Sequence, residues 1–336
     1  MIDTSIGMRY LDWLYSCLLL CFIASNTFGG VGTWCSGSAL GRCLNTTSGA
    51  NAYNGVASNA KMTMFDIDIA AEDNFLNVPS LYHIALPPSY SAGARVHTDS
   101  WGTPGMNTYT SKSIDVDQFM FENPDFLFVV AAANDGDYGY HSVGSPGVSK
   151  SALTVGATSV DHNYLVYFSS IGENYDGAIK PNIVAPGRNL MSAGVHNGGA
   201  NWTDSCNVQL SSGTSMATPI TAGSAIIARH YMESSDYWGS YCNANYASCP
   251  VVNPSKDSHF ISGALLKAVL INGKSIEIYN VYSVCLKFRT YLALTYHHLF
   301  SSLNTTKHST TVIIQHEQQL HNFAFTDALF SLIWCV

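Results

Sequence analysis

The 336 residues carry a formal net charge of −8, with 47 % apolar and only 11 % charged side chains. So little charge beside so much apolar matter argues against a disordered chain, and the lack of any basic cluster gives no support to nucleic-acid binding. A chain of this length buries a substantial core, as one large α/β domain or two ordinary ones.

In chain order, residues 13–24 are apolar almost throughout, a run shorter than the ~20 residues a membrane span needs. Asp3 and Asp12 outweigh Arg9 ahead of it and no small-x-small cleavage site follows, so it reads as a buried strand or helix in preference to a secretion signal. Residues 61–69 alternate Phe65, Ile67 and Ile69 with Asp66 and Asp68, a strand with one polar face. Helical character over 81–94 is followed by a strand at 95–100 and a helix at 114–122. Residues 126–133 form a continuous apolar run closed by Asn134-Asp135-Gly136, a buried strand running into a turn. Two short strands follow at 152–157 and 182–185. Residues 216–232 are small or apolar on all sides, as a buried helix requires, with Pro219 in or just beyond the first turn, where a missing N–H costs least. A last helix, 262–272, turns Leu265, Leu266, Val269 and Leu270 inward and ends at Gly273. Strands alternating with helices predict a mainly parallel sheet with helices on both faces.

The tail from Lys274 has no periodic apolar face and no internal repeat. Its His297, His298, His308, His316 and His321 have no carboxylate or cysteine at ligand spacing, so the paired histidines read as polar loop and not as a metal site. Nine cysteines leave at least one thiol unpaired if the others form disulfides within the chain, and Cys242–Cys249 and Cys35–Cys43 are the candidate bridges. Asn45, Asn201 and Asn304 open glycosylation sequons. These features together point to a secretory protein.

The stretch that carries chemistry is Gly213-Thr214-Ser215-Met216-Ala217-Thr218-Pro219. It mounts a serine at the mouth of a buried helix, where free backbone N–H groups and the positive dipole end suit an oxyanion, and Gly213 leaves room for a substrate. This heptad resembles the nucleophile motif of the subtilisin-like serine proteases, peptidase family S8. Further motifs resemble that family in the family's order: Gly30 to Gly37 its His-bearing segment, Ser91 to Gly102 its substrate-binding strand, and Ala131 to Gly136 the segment with its oxyanion Asn. Gly144-Ser145-Pro146, Ala152 to Ala157 and Lys180 to Gly187 complete the pattern. The resemblance spans residues 50–274 well, 1–49 poorly and 275–336 not at all. It is nearest to the branch with a jelly-roll domain after the catalytic one.

The resemblance implies an α/β fold with a mainly parallel central sheet, truncated at its N-terminus, over 1–274, with 275–336 an unassigned tail. It makes Ser215 the nucleophile and Asn134 the oxyanion donor, and it makes Ser100, Trp101 and Gly102 an edge strand that pairs with a substrate peptide. Ala133 stands where the family has Gly before this Asn. The base is missing: Val31 falls at the family's catalytic His and Trp34 at its second His. His83 and His97 lie outside any base motif and read as structural, His97 being the first alternative base to test. Ile2-Asp3-Thr4-Ser5 resembles the family's Asp motif, so Asp3 is the candidate orienting carboxylate.

The implied function is peptide-bond hydrolysis through an acyl-enzyme on Ser215, impaired by Val31. The alternatives are a peptide-binding pseudoprotease, or a truncated or mistranslated form of an active protease. Peptides or proteins are the expected partners; no cofactor is implied, and the family's calcium sites are not assignable to residues here. An α/β-hydrolase elbow would need a second Gly after Ser215. A dinucleotide site at Gly30-Val31-Gly32 would need a third Gly and a following helix.

Overall fold

The apolar runs of the sequence become the strands of one parallel sheet. A computed structural model describes residues 18–24, 30–44, 49–67, 76–103, 107–160, 164–194, 207–233, 261–272, 275–280, 283–287 and 333–335. In chain order the elements are β1 (Leu18–Ala24), α1 (Val31–Leu40), β2 (Lys61–Ile67), α2 (Leu86–Ser91), β3 (Ala94–Asp99), α3 (Ser111–Glu122), β4 (Leu127–Ala131) and β5 (Leu153–Ser159). There follow β6 (Gly172–Glu173), β7 (Ile179–Lys180), β8 (Ile183–Arg188), β9 (Leu190–Ala193), β10 (Val208–Ser211), α4 (Thr214–Glu233) and α5 (Gly263–Asn272).

Six strands pair in the order β2-β1-β3-β4-β5-β8, every pairing parallel. β4 and β5 are buried along their whole length, as strands covered on both faces must be. From β1 the chain goes to β2 on one side and then crosses to β3 on the other. An open α/β sheet leaves a crevice beyond the carboxyl ends at such a reversal, and that is where it binds ligands. Here the start of α1 and the residues after Asp99 stand together, Cys35 Sγ lying 3.4 Å from Ser100 Oγ.

α4 lies against β3, β4, β5 and β8 and also against α1. Its small residues permit the approach: Ala217, Ala222, Gly223 and Ala225 are buried, and a Cβ on Gly223 would come 2.8 Å from the Cβ of Val56. The hydroxyls it buries bond back one turn, Thr218 to the Thr214 carbonyl, Thr221 to Ala217 and Ser224 to Ile220, so none is orphaned.

The Lys180-Pro181-Asn182 segment is built around a buried lysine amine. Lys180 is 3 % exposed, and its Nζ donates to the carbonyls of Ser149 (2.6 Å) and Ala152 (3.2 Å), to Thr154 Oγ1 (2.8 Å) and to Asn182 Oδ1 (3.1 Å). Burial pushes its pKa well down from the ordinary lysine value. Lys267 of α5 reaches the same loop, donating to the carbonyls of Lys150, Ser151 and Ala152. Two lysine amines thus fasten the loop that leads into β5.

Several expectations need correction. A helix, α1, does follow Gly30, so the dinucleotide reading fails only for want of the third Gly. Leu265 is 42 % exposed; α5 turns Gly263, Leu266 and Leu270 inward. Beyond α5, β11 (Ser275–Asn280), β12 (Ser283–Lys287) and β13 (Ile333–Cys335) form an antiparallel sheet, so part of the tail is strand. The alternation Ile276-Glu277-Ile278 is the period-2 signal for it. Cys35 is a free buried thiol while Cys43, beyond the helix end, is disulfide-bonded, so these two do not pair. Cys242, Cys249, the three sequons and the tail histidines lie outside the described residues.

Candidate active site

Ser215 is the second residue of α4, half-buried at the carboxyl end of β3. Its hydroxyl does not cap its own helix; it donates to the carbonyl of Ser100 at 3.0 Å. Pro219 explains how the serine is held. A helix at this point would bond the N–H of residue 219 to the carbonyl of Ser215, and proline has no N–H to give. The freed carbonyl accepts instead from Ser100 Oγ (3.0 Å) and from Cys35 Sγ (3.2 Å), which itself lies 3.4 Å from Ser100 Oγ. One carbonyl therefore joins α1, the end of β3 and α4. Burial raises the Cys35 thiol to a pKa of about 12, so it acts as a neutral donor.

Asn134 stands just after β4. Its Oδ1 accepts from the Thr214 N–H (2.8 Å) and from Thr214 Oγ1 (3.0 Å), which fixes the amide and turns Nδ2 outward. Gly213 shows what lies between them. A Cβ placed on Gly213 would sit 3.5 Å from Asn134 Nδ2 and 3.6 Å from the Ser215 N–H nitrogen. Two N–H donors thus border one space that any side chain at position 213 would fill, and Gly213, at φ 155, keeps it open. The N-terminus of α4 adds its positive dipole end there.

Ala133 adopts φ 91, a backbone that favours glycine, so the departure from the family's Gly leaves the local conformation in place at the cost of strain. Ala133→Gly is expected to raise stability by about 1 kcal/mol in denaturant unfolding. An unchanged midpoint would mean that the strain is relieved elsewhere.

Val31 is the first residue of α1 and half-buried, packed in a small cluster with Trp34, Cys35 and Met216, the neighbour of Ser215. Trp34 is buried and donates from Nε1 to the Gln209 carbonyl of β10. Ser100, Trp101 and Gly102 follow β3, which stops at Asp99; they form no regular strand and lead into a single antiparallel bridge, Thr103 with Ser145. Asp3 lies outside the described residues. Among the described residues no three His, Cys, Asp or Glu side chains group as a metal site.

The alternative base fails on geometry. His97 is fully buried in β3, stacked on Phe128 at 4.2 Å, with its Nε2 4.0 Å from the equally buried Asp99. His83 is exposed on the turn of helix before α2. Burial holds the His97 pKa well below its ordinary value, so the folded chain refuses a proton that the unfolded chain accepts. Stability from this group is complete above about pH 6.5 and is lost as pH falls below it. Burial raises the Asp99 carboxyl, against the Trp101 N–H and Lys112, and its contribution runs the other way, lost as pH rises above about 4. His97→Gln removes only the first slope. Its stability relative to wild type should therefore rise as pH falls from 7 to 5, by thermal unfolding; a constant difference would contradict a neutral buried His97.

A profile of the subtilase family, peptidase S8, matches residues 25–246. The chain belongs to the subtilase family. Among its relatives, the serine protease/ABC transporter B family protein tagD of Dictyostelium discoideum is 28 % identical over 335 residues, covering 74 % of this chain. Pyrolysin of Pyrococcus furiosus is 36 % identical over 175 residues, 43 % of this chain. The chain spans only 18 % of the length of the first and 12 % of the second. The solved structure of Sphericase superposes with a TM-score of 0.51 at 21 % identity, over 77 % of this chain and 83 % of that one, a likeness of fold.

Proposed function

We propose that this subtilase is a serine endopeptidase homologue acting on peptides or proteins, with Ser215 as nucleophile and turnover held low by Val31. The observation that carries the reading is the space beside Gly213, bordered by Asn134 Nδ2 and the Ser215 N–H. A tetrahedral oxyanion formed on Ser215 needs two such donors in fixed positions. Attack by Ser215 Oγ on a scissile carbonyl would put the negative oxygen there, while the hydroxyl proton needs an acceptor that Val31 does not supply. The Ser100 carbonyl that now holds this proton is not a base, which favours slow or absent turnover and supports the second reading, a peptide-binding pseudoprotease. In that reading Ser100, Trp101 and Gly102 would still lie along a bound peptide. Asp3 remains the candidate for the carboxylate behind an imaginary imidazole at 31. The disulfide at Cys43 supports an oxidising, secretory location.

A peptide aldehyde, which forms a tetrahedral adduct with the serine, tests the oxyanion assignment. Asn134→Leu is expected to weaken its binding by about 10²-fold, and Gly213→Ala, whose methyl fills the space, by at least as much. Equal affinity in wild type and both variants would refute the assignment.

A further inference from the structure

Ala133 holds a strained backbone, φ 91, and the chain around it gives the strain no release. The Ala132 carbonyl accepts from the Gly144 N–H (3.2 Å) and the Ala133 carbonyl from the Ser170 N–H (3.1 Å), while the Asp135 N–H is bonded to Ser170 Oγ (3.0 Å). With the backbone fastened on both sides, the direction of the Ala133 Cβ is fixed as well.

That methyl points between two segments. Residues 100–103 leave the end of β3 and residues 132–134 the end of β4, and Gly144-Ser145 joins them. The Thr103 N–H donates to the Ser145 carbonyl at 2.8 Å, while the Gly144 N–H holds Ala132. At one end of the cleft so formed stand Ser215 Oγ, 3.0 Å from the Ser100 carbonyl, and Asn134, held to Thr214. Toward the other end lie two residues without side chains, the exposed Gly102 and the buried Gly144. A Cβ built on Gly144 would lie 2.5 Å from the Thr103 carbonyl oxygen and 3.6 Å from the Ala133 Cβ. The methyl and that oxygen therefore face each other across one point. A substrate atom seated between them needs about 3.5 Å to each, more than these distances leave.

We propose that the Ala133 methyl limits the residue whose carbonyl is attacked to a small side chain, that of Gly, Ala or Ser. With its oxygen between Asn134 Nδ2 and the Ser215 N–H and its carbon at Ser215 Oγ, that residue is held between Ser100 and Asn134. Its side chain then enters the cleft that the methyl closes. This placement of the peptide rests on the protease reading; the narrowness of the cleft does not. Removing the methyl deepens the cleft by up to about 1.5 Å, one carbon–carbon bond. It also relieves the strain, so the backbone keeps its place.

The test is titration of the whole chain with two peptide aldehydes that differ only in the terminal residue, alanine or phenylalanine. Wild type should prefer the alanine aldehyde by about tenfold, the penalty of an overfilled site. Ala133→Gly should tighten the phenylalanine aldehyde by about tenfold and change the alanine aldehyde by less than about twofold. A merely stabilised site would shift both alike. Wild-type preference for phenylalanine, or equal changes for the two aldehydes in Ala133→Gly, would overturn the proposal. Asn134→Leu should weaken both aldehydes to the same degree. A selective gain in Ala133→Gly beside indifference to Asn134→Leu would uphold the narrow subsite while refuting the oxyanion assignment. Binding of neither aldehyde, in wild type or in Ala133→Gly, would overturn both.

Discussion

A fluorophosphonate probe, which reacts only with an activated serine, is expected to label Ser215 about 10⁶-fold more slowly than in a subtilase with its base histidine. At about 1.4 kcal/mol per factor of ten, that is roughly 8 kcal/mol of barrier. In the proposed reading the cause is Val31: it stands at the start of α1 beside Met216, at the position the family resemblance gives to the base histidine, and an isopropyl group accepts no proton. Val31→His should restore labelling, and Ser215→Ala should abolish it. An imidazole with no carboxylate behind it recovers about 10²-fold, because in this family the acid contributes about 10⁴ on its own. A larger gain that Asp3→Asn then removes would assign Asp3 as the acid. Rapid labelling of wild type, lost in Ser215→Ala, would sink the impaired-enzyme reading.

Lys180→Met is expected to cost about 2–5 kcal/mol of stability, about 1–3 for each acceptor left orphaned. Methionine preserves the length of the stem and removes the amine, leaving the Ser149 carbonyl and the Thr154 hydroxyl without their donor in a site only 3 % exposed, while Ala152 keeps Lys267 and Asn182 keeps the Thr154 N–H. For a domain of this size the midpoint of thermal unfolding should fall by roughly 10 °C. Lys150→Met is the control: its ion pair with Asp176 spans 3.6 Å between side chains 66 % and 46 % exposed, and its loss should cost under about 1 kcal/mol. Similar effects in the two variants would mean that the orphaned oxygens find water, and that the buried amine is not what holds the loop before β5.

The strands and long helices were legible because they are strongly patterned. The run 126–133 could be little but a buried strand, and the small-residue helix after Ser215 little but a buried helix; both formed within a few residues of the expected bounds. α1 was not legible, since Gly30-Val31-Gly32-Thr33 holds poor helix formers and its stability comes from packing against α4. Apolarity alone points Leu265 inward, yet an exposed leucine on a helix is ordinary. In the site, the order of motifs located Ser215 and Asn134. The tie through the Ser215 carbonyl was in principle readable from Pro219, four residues on, but its partners Cys35 and Ser100 were not. Nothing local in a sequence says which distant hydroxyl or thiol will meet a carbonyl.

The carbonyl freed by Pro219 also bears on when the site forms. The groups that meet around it are separated by 65, 115 and 180 positions along the chain. Contacts of such high contact order form late and slowly, because the entropy of closing long loops is spent before any of them is rewarded. The nucleophile therefore has no native environment until the first helix, the third strand and the long helix have all docked. Reactivity at Ser215, native or restored through position 31, would then report completion of the whole fold, and should lag behind the appearance of secondary structure in refolding.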